Sequence, residues 1–185
     1  IKITEPDLIV VHGDRLEALA GAIVGSLNNT LVAHIEGGEL SGTIDELIRH
    51  SVTKLSHVHY TANDNAKKRL LQMGELETSI FTIGSPDVDI MFSNNLPKLD
   101  VVKGYYQIDF TSYALAMYHP VTTEIDAIEE NANNFVDALV ESGKNYVVIY
   151  PNNDPGCNQI INIYNKIIMY YFKFILLIWL KLSNN

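Results

Sequence analysis

Between Val11 and His50 an apolar run gives way three times to carboxylates, histidines or glycines: Val11-His12-Gly13-Asp14-Arg15, His34-Ile35-Glu36-Gly37-Gly38-Glu39, and Ile44-Asp45-Glu46-Leu47-Ile48-Arg49-His50. A parallel α/β sheet delivers reactive groups to one edge in this way. Its strands are buried on both faces, so chemistry collects where the strands end. That edge is the candidate active site, and the rest of the chain has to be organised around it.

The run Leu8-Ile9-Val10-Val11-His12 is β-branched and continuous, as in a strand buried on both faces. Helical spacing of Leu16, Leu19, Ala20, Ile23, Val24 and Leu27 predicts a helix over 15–27, stopped by Asn28-Asn29. A strand over 31–35 and a helix over 43–55 repeat the unit, the helix burying Ile44, Leu47, Ile48, Val52 and Leu55. Thr43 with Glu46 three residues on forms a capping box. Strands over 57–61 and 80–83, a helix over 63–73 and a short helical segment ending at Phe92 complete a first domain, residues 1–92. Strand–helix alternation joined by short turns specifies βαβ units and parallel sheets.

Residues 93–110, with Asn94-Asn95 and Pro97, are expected to connect two domains. Alternation resumes over 111–160 with strands at 113–118 and 146–150, an acidic helix over 124–142, and the turn Pro151-Asn152-Asn153-Asp154-Pro155-Gly156. Residues 161–185 form an atypical apolar tail ending Phe174-Ile175-Leu176-Leu177-Ile178-Trp179-Leu180, interrupted by Lys166, Lys173 and Lys181. A spanning helix needs roughly 20 mostly apolar residues. The tail is therefore expected to be a buried helix or a segment foreign to the fold, not a membrane anchor.

Composition narrows the partners. A net charge of −9 over 185 residues, with no basic stripe, excludes a nucleic-acid surface. An anionic small molecule remains compatible, because local arginines and helix N-termini bind phosphate in an acidic protein. The single Cys157 excludes an internal disulfide and a multi-cysteine zinc site. The chain opens Ile1-Lys2-Ile3, without a methionine or a signal peptide, so the expectation is a piece of a longer cytoplasmic protein.

Each candidate has a structural alternative. Asp14 is either the N-cap of the following helix or a group facing the ligand crevice. Glu36 holds the same topological position on the next strand, and Gly37-Gly38 either admit a ligand to the backbone or make a plain turn. Asp45 lies in the first turn of its helix, favoured by the dipole, with Arg49 one turn on as an ion-pair partner. His57 and His59 alternate on one strand face; without a third ligand, burial is favoured over a metal. His12 and His34 sit near strand ends. His119 ends the first strand of the second sheet and is expected to face the first sheet across an interdomain cleft. Carboxylates and a histidine without metal ligands suit proton transfer and stabilisation of a developing cation.

These motifs, with Gly84-Ser85-Pro86, His119-Pro120-Val121-Thr122-Thr123 and Tyr150-Pro151-Asn152-Asn153-Asp154, resemble the hydrolysing UDP-N-acetylglucosamine 2-epimerases of sialic-acid biosynthesis, in order from about residue 7 to residue 156. The resemblance implies two Rossmann-like domains of the GT-B type, a UDP-sugar substrate bound between them, no cofactor or metal, and homo-oligomeric full-length relatives. It also implies loss of UDP by anti elimination to 2-acetamidoglucal, then hydration with inversion at C2 to N-acetylmannosamine. On this likeness Asp14, Glu36 and Asp45 are the catalytic carboxylates and His119 acts near the glycosidic phosphate. His34, Arg15, Gly37, Gly38 and Arg49 lie in the same motifs as substrate-binding candidates. A related UDP-N,N′-diacetylbacillosamine 2-epimerase shares the pattern. The family's phosphate-holding loop before residue 1 and its phosphate- and uridine-binding turn beyond residue 160 have no counterpart here, so both domains are expected to be incomplete, with a truncated or frameshifted reading near Ile160.

Overall fold

The computed structural model describes residues 4–168 and 174–177, in two compact units, Ile1–Leu96 and Pro97–Asn185. In the first, β1 (Leu8–His12), β2 (Leu31–Ile35), β3 (Val58–Thr61) and β4 (Ile80–Thr82) alternate with α1 (Leu16–Leu27), α2 (Ile44–Lys54), α3 (Asp64–Gln72) and α4 (Pro86–Met91). The strands lie in the order β1-β2-β3-β4, and every pair is parallel. Register aligns Leu8 with Leu31 and His12 with Ile35, so successive strand ends stand side by side.

The core of this unit joins Val11, Val32 and Val52 to Ala18 and Ala22, with Ile9, Leu19, Ile48 and Leu55 packed around them. The face that α1 turns to the sheet is its small one. Ala18, Ala22 and Gly25 are buried, whereas Leu16 and Leu27 are 70% and 80% exposed. Of the leucines expected to mark the core, Leu19 packs against it, while Leu16 and Leu27 lie on the outer surface. Close approach explains the choice of face: a Cβ added at Gly25 would stand 2.4 Å from a Val32 methyl, and one at Gly21 would stand 3.0 Å from Val11. Bulk at these positions would lift the helix off the sheet.

In the second unit, β5 (Ala114–Met117), β6 (Tyr146–Ile149) and β7 (Phe174–Leu177) form a parallel sheet in that order. α6 (Ile128–Glu141) buries Ile128, Ala132 and Val136 at four-residue steps, opens with Glu129 and Glu130 in its first turn, and stacks Phe135 on Tyr118. Acidic residues at that end complement the helix dipole.

Residues 93–110, expected to connect two domains, contain α5 (Leu99–Tyr106), closed by Gln107 in the left-handed conformation. Of the two readings of the chain beyond Ile160, a buried helix or a segment foreign to the fold, the described residues show the helix, built into the core. α7 (Cys157–Ile168) buries Ile160, Ile163 and Tyr164 in the same core as Ile128 and Val148, and β7 supplies a third strand beside β6. Spacing of i, i+3 and i+4 is amphipathic in a helix that begins at Cys157, a start that a boundary drawn at residue 160 conceals. Residues 178–185, including the end of the apolar run, lie outside the described residues. Among the described residues no helix is long and apolar enough to cross a membrane.

Gly38 is the glycine the first unit can least exchange. Its φ is +86°, and an added Cβ would meet the Ala66 carbonyl oxygen at 2.6 Å. Gly38→Ala is expected to cost about 2–4 kcal/mol, from left-handed strain plus overpacking against α3 backbone. The midpoint of urea-induced unfolding measures it.

Candidate active site

Parallel pairing continues past the strands and fixes where the reactive residues sit. Gly13 N–H donates to the Ile35 carbonyl at 3.0 Å and Glu36 N–H to the Tyr60 carbonyl at 2.9 Å, which brings Asp14 and Glu36 out at neighbouring positions on the carboxyl edge. Glu36 itself is left-handed, with φ 66°. A non-glycine residue held there stores strain that a plain turn has no need of.

His34 locks this edge from below. It is fully buried; its Nε2–H donates to the Gly13 carbonyl at 2.9 Å, and its Nδ1 accepts from the Thr53 hydroxyl at 3.1 Å. The carbonyl only accepts, so the partner assigns the proton to Nε2. Burial pushes the imidazole down to about pH 4 in pKa, against the opposing pull of the Gly13 carbonyl. The structure therefore ties His34 between β1 and α2 with both ring nitrogens occupied. Gly37 belongs to the same packing: a Cβ there would stand 2.9 Å from His34 Nδ1.

Arg49 organises the other side. The guanidinium pairs with Asp14, donates to the Glu39 carbonyl at 2.9 Å and reaches the Ser41 hydroxyl at 3.4 Å. Asp14 is thus not the cap of α1: Arg15 holds the N-cap position, and the Asp14 carboxylate faces an arginine 35 residues away. Nor does Arg49 pair with Asp45 on its own helix. The Asp45 carboxylate accepts from the Thr43 hydroxyl at 3.2 Å, and that hydroxyl accepts from Asp45 N–H. The capping box is displaced as well. Glu46 accepts from Ser41 N–H and Gly42 N–H at 3.0 and 2.9 Å, and these bonds, Gly42 foremost, draw its pKa down.

Two residues that sequence reasoning left without a role close on Glu36. His12 Nε2 lies 3.0 Å from one carboxylate oxygen. The Ser85 hydroxyl, from the turn after β4, donates to the other at 3.2 Å. His12 had a signal in its strand-end position, and Ser85 in the Gly84-Ser85-Pro86 turn; neither shows which carboxylate it meets. His57 and His59 part ways: His57 Nδ1 accepts from Val32 N–H, and His59 lies buried 3.2 Å from Glu75. Among the described residues no group of three or more potential ligands could hold a metal. His119 belongs to the second unit, where its Nδ1 accepts from Asn152 N–H at 3.0 Å.

Two measurements probe this edge. Arg49→Ala removes three ties at once and leaves a half-buried carboxylate behind, an expected loss of about 2–4 kcal/mol in denaturant unfolding. The second is a pH dependence. Because the folded His34 pKa is about 4 against an ordinary 6.5, the unfolded chain binds a proton there that the folded chain refuses. Stability from this residue is complete above pH 6.5 and lost as pH falls towards 4, by roughly 3 kcal/mol. Burial shifts His59 in the same direction. Unfolding free energies at pH 7.5 and 4.5 should show the drop, and His34→Gln should flatten it.

Comparison with known proteins fits this arrangement. The family model described as UDP-N-acetylglucosamine 2-epimerase matches residues 1–178. The chain is 55% identical over 157 residues to the UDP-N-acetylglucosamine 2-epimerase of Neisseria meningitidis serogroup B, covering 85% of this chain and 42% of that protein. It is 38% identical over 152 residues to a hydrolysing UDP-N,N′-diacetylbacillosamine 2-epimerase of Legionella pneumophila, covering 82% and 40%. Among solved structures, the Methanocaldococcus jannaschii UDP-GlcNAc 2-epimerase in complex with UDP-GlcNAc and UDP superposes with TM-score 0.76 at 24% identity, over 95% of this chain and 50% of that one. The fold is that of such enzymes, Rossmann-like parallel sheets of the GT-B type, and the chain spans about two fifths of the length of the curated relatives it matches. By the family match and the shared sequence, this chain belongs to the UDP-N-acetylglucosamine 2-epimerase family.

Proposed function

We propose that the protein is a hydrolysing UDP-N-acetylglucosamine 2-epimerase, converting the UDP-sugar and water to UDP and N-acetylmannosamine, a sialic-acid precursor, in the cytoplasm. The observation that carries this reading is the pair of carboxylates at adjacent strand ends, Asp14 held by Arg49 and Glu36 held by His12 and Ser85. The C2 proton of the sugar is not acidified by a carbonyl, so departure of UDP has to build positive charge at C1 before or as that proton leaves. A carboxylate whose position is fixed can stabilise such charge, and a second can take the proton.

In the elimination step the C1–O bond breaks with its electrons passing to the UDP phosphate oxygen. The C2–H electrons become the C1–C2 double bond, and the proton passes to a carboxylate. Water then supplies hydroxyl to C1 and a proton to C2 on the opposite face, so the sugar leaves inverted at C2. Asp45 and His119 complete the proposed catalytic set, His119 near the leaving phosphate. Arg15 and Arg49 are the cations for the substrate side, and the Gly37-Gly38 turn is the backbone the sugar approaches. His34 supports the set from within the fold.

The likeness to the Legionella enzyme favours a second substrate, UDP-N,N′-diacetylbacillosamine, for the same chemistry. Incubating the 185-residue chain with each UDP-sugar and following UDP together with the free sugar decides among these. N-acetylmannosamine and UDP in equal amounts, reduced at least ~100-fold by Asp14→Asn or Glu36→Gln, is the expected result. UDP-N-acetylmannosamine as product would replace hydrolysis with simple epimerisation. A folded chain that releases no UDP would mark these residues as a catalytically silent part of the family.

A further inference from the structure

Once Glu36 has taken a proton, turnover requires that the proton leave, and the partners of the two strand-end carboxylates differ in what they can do about it. Arg49, on Asp14, is a permanent cation and accepts nothing. His12, on Glu36, is a proton acceptor, 3.0 Å away and with its side chain 45% exposed against 26% for Glu36. The imidazole is thus the more exposed of the pair and can hand a proton on to water. Ser85 fixes the opposite oxygen of Glu36 from across the sheet and so leaves the His12 side as the open route.

Resting on the function proposed above, we propose that His12 is a positioning and proton-relay residue for Glu36, the carboxylate that collects the C2 proton. Glu36 takes that proton on the oxygen facing His12 and passes it to Nε2 of the imidazole bearing its own proton on Nδ1. The imidazolium then releases the Nδ1 proton to water, leaving Glu36 a carboxylate that accepts from Nε2–H, and proton exchange of the exposed ring with water restores the Nδ1–H tautomer when the next proton arrives. Asp14, tied to a guanidinium, keeps its charge throughout and serves the cationic side of the reaction. The same contacts account for the strained backbone of Glu36, since the left-handed turn brings its carboxylate back over the end of β1.

The test uses the 185-residue chain with ¹⁵N-labelled histidine and UDP-N-acetylglucosamine. A His12 Nε2 resonance that moves on Glu36→Gln is expected, and one that ignores the substitution overturns the pair. In turnover, His12→Ala should lose about 100-fold in kcat with little change in KM, and added imidazole should restore rate in proportion to its concentration. Where His12→Ala fails to fold, His12→Gln keeps a donor for Glu36 but cannot pass a proton, and should be slow with a native circular dichroism spectrum. Unchanged rates, or a loss that imidazole never repairs, overturn the relay while the epimerase reading stands. A wild-type chain that folds and shows no turnover overturns that reading, and the relay with it.

Discussion

A single buried imidazole sets the position of everything on the reactive edge. His34 joins the carbonyl just past β1 to a hydroxyl in the last turn of α2, so the residue after that carbonyl, Asp14, and the helix carrying Arg49 are held in one frame. Neutrality is what allows this. A charged imidazole in that site would carry the cost of desolvation. The lowered pKa is the visible sign of that arrangement. Gly37 is short of a side chain for the same reason, since the imidazole occupies the space its Cβ would take.

Strands β1 to β6 were legible because short apolar runs alternate with helical patterns and end in turns, whereas β7 lies in the stretch read as an apolar tail. Partner choice was not legible. Local spacing offers Arg49 a partner one helical turn away in Asp45, worth a few tenths of a kcal/mol on a solvated helix face. The fold instead offers Asp14, from the turn after β1, 35 residues earlier and largely shielded from water. Short-range rules find the pair that exists in an isolated helix, and tertiary packing overrides it. The capping box gives way similarly, because Glu46 finds two N–H groups in the preceding loop. The leucine stripe of α1 misleads because periodicity locates an apolar face without saying which of two faces meets the sheet. Alanines and glycines, weak in any hydrophobicity count, win through close approach.

The same limit explains the candidate site. The positions of Asp14 and Glu36 on one edge were legible because strand ends are fixed by topology. His12 and Ser85 were not assigned to Glu36, because that depends on a left-handed turn and on a loop from the far edge of the sheet, neither of which leaves a periodic trace. Gly38 was legible as a turn glycine but not as the residue on which α3 rests.

The two carboxylates of this edge are geometrically similar and chemically distinct, and the distinction lies wholly in their partners. A guanidinium holds charge and geometry constant whatever happens nearby, which suits a group that must meet developing positive charge unchanged. An imidazole and a hydroxyl hold geometry but leave the proton free to move, which suits a group that must change state and recover. Parallel topology places both at adjacent strand ends through the same backbone pairing. The proposed elimination, which separates charge and moves a proton, draws on both kinds of carboxylate. Exchanging the partners, with arginine on Glu36 and histidine on Asp14, would leave every backbone hydrogen bond in place and remove the division of labour.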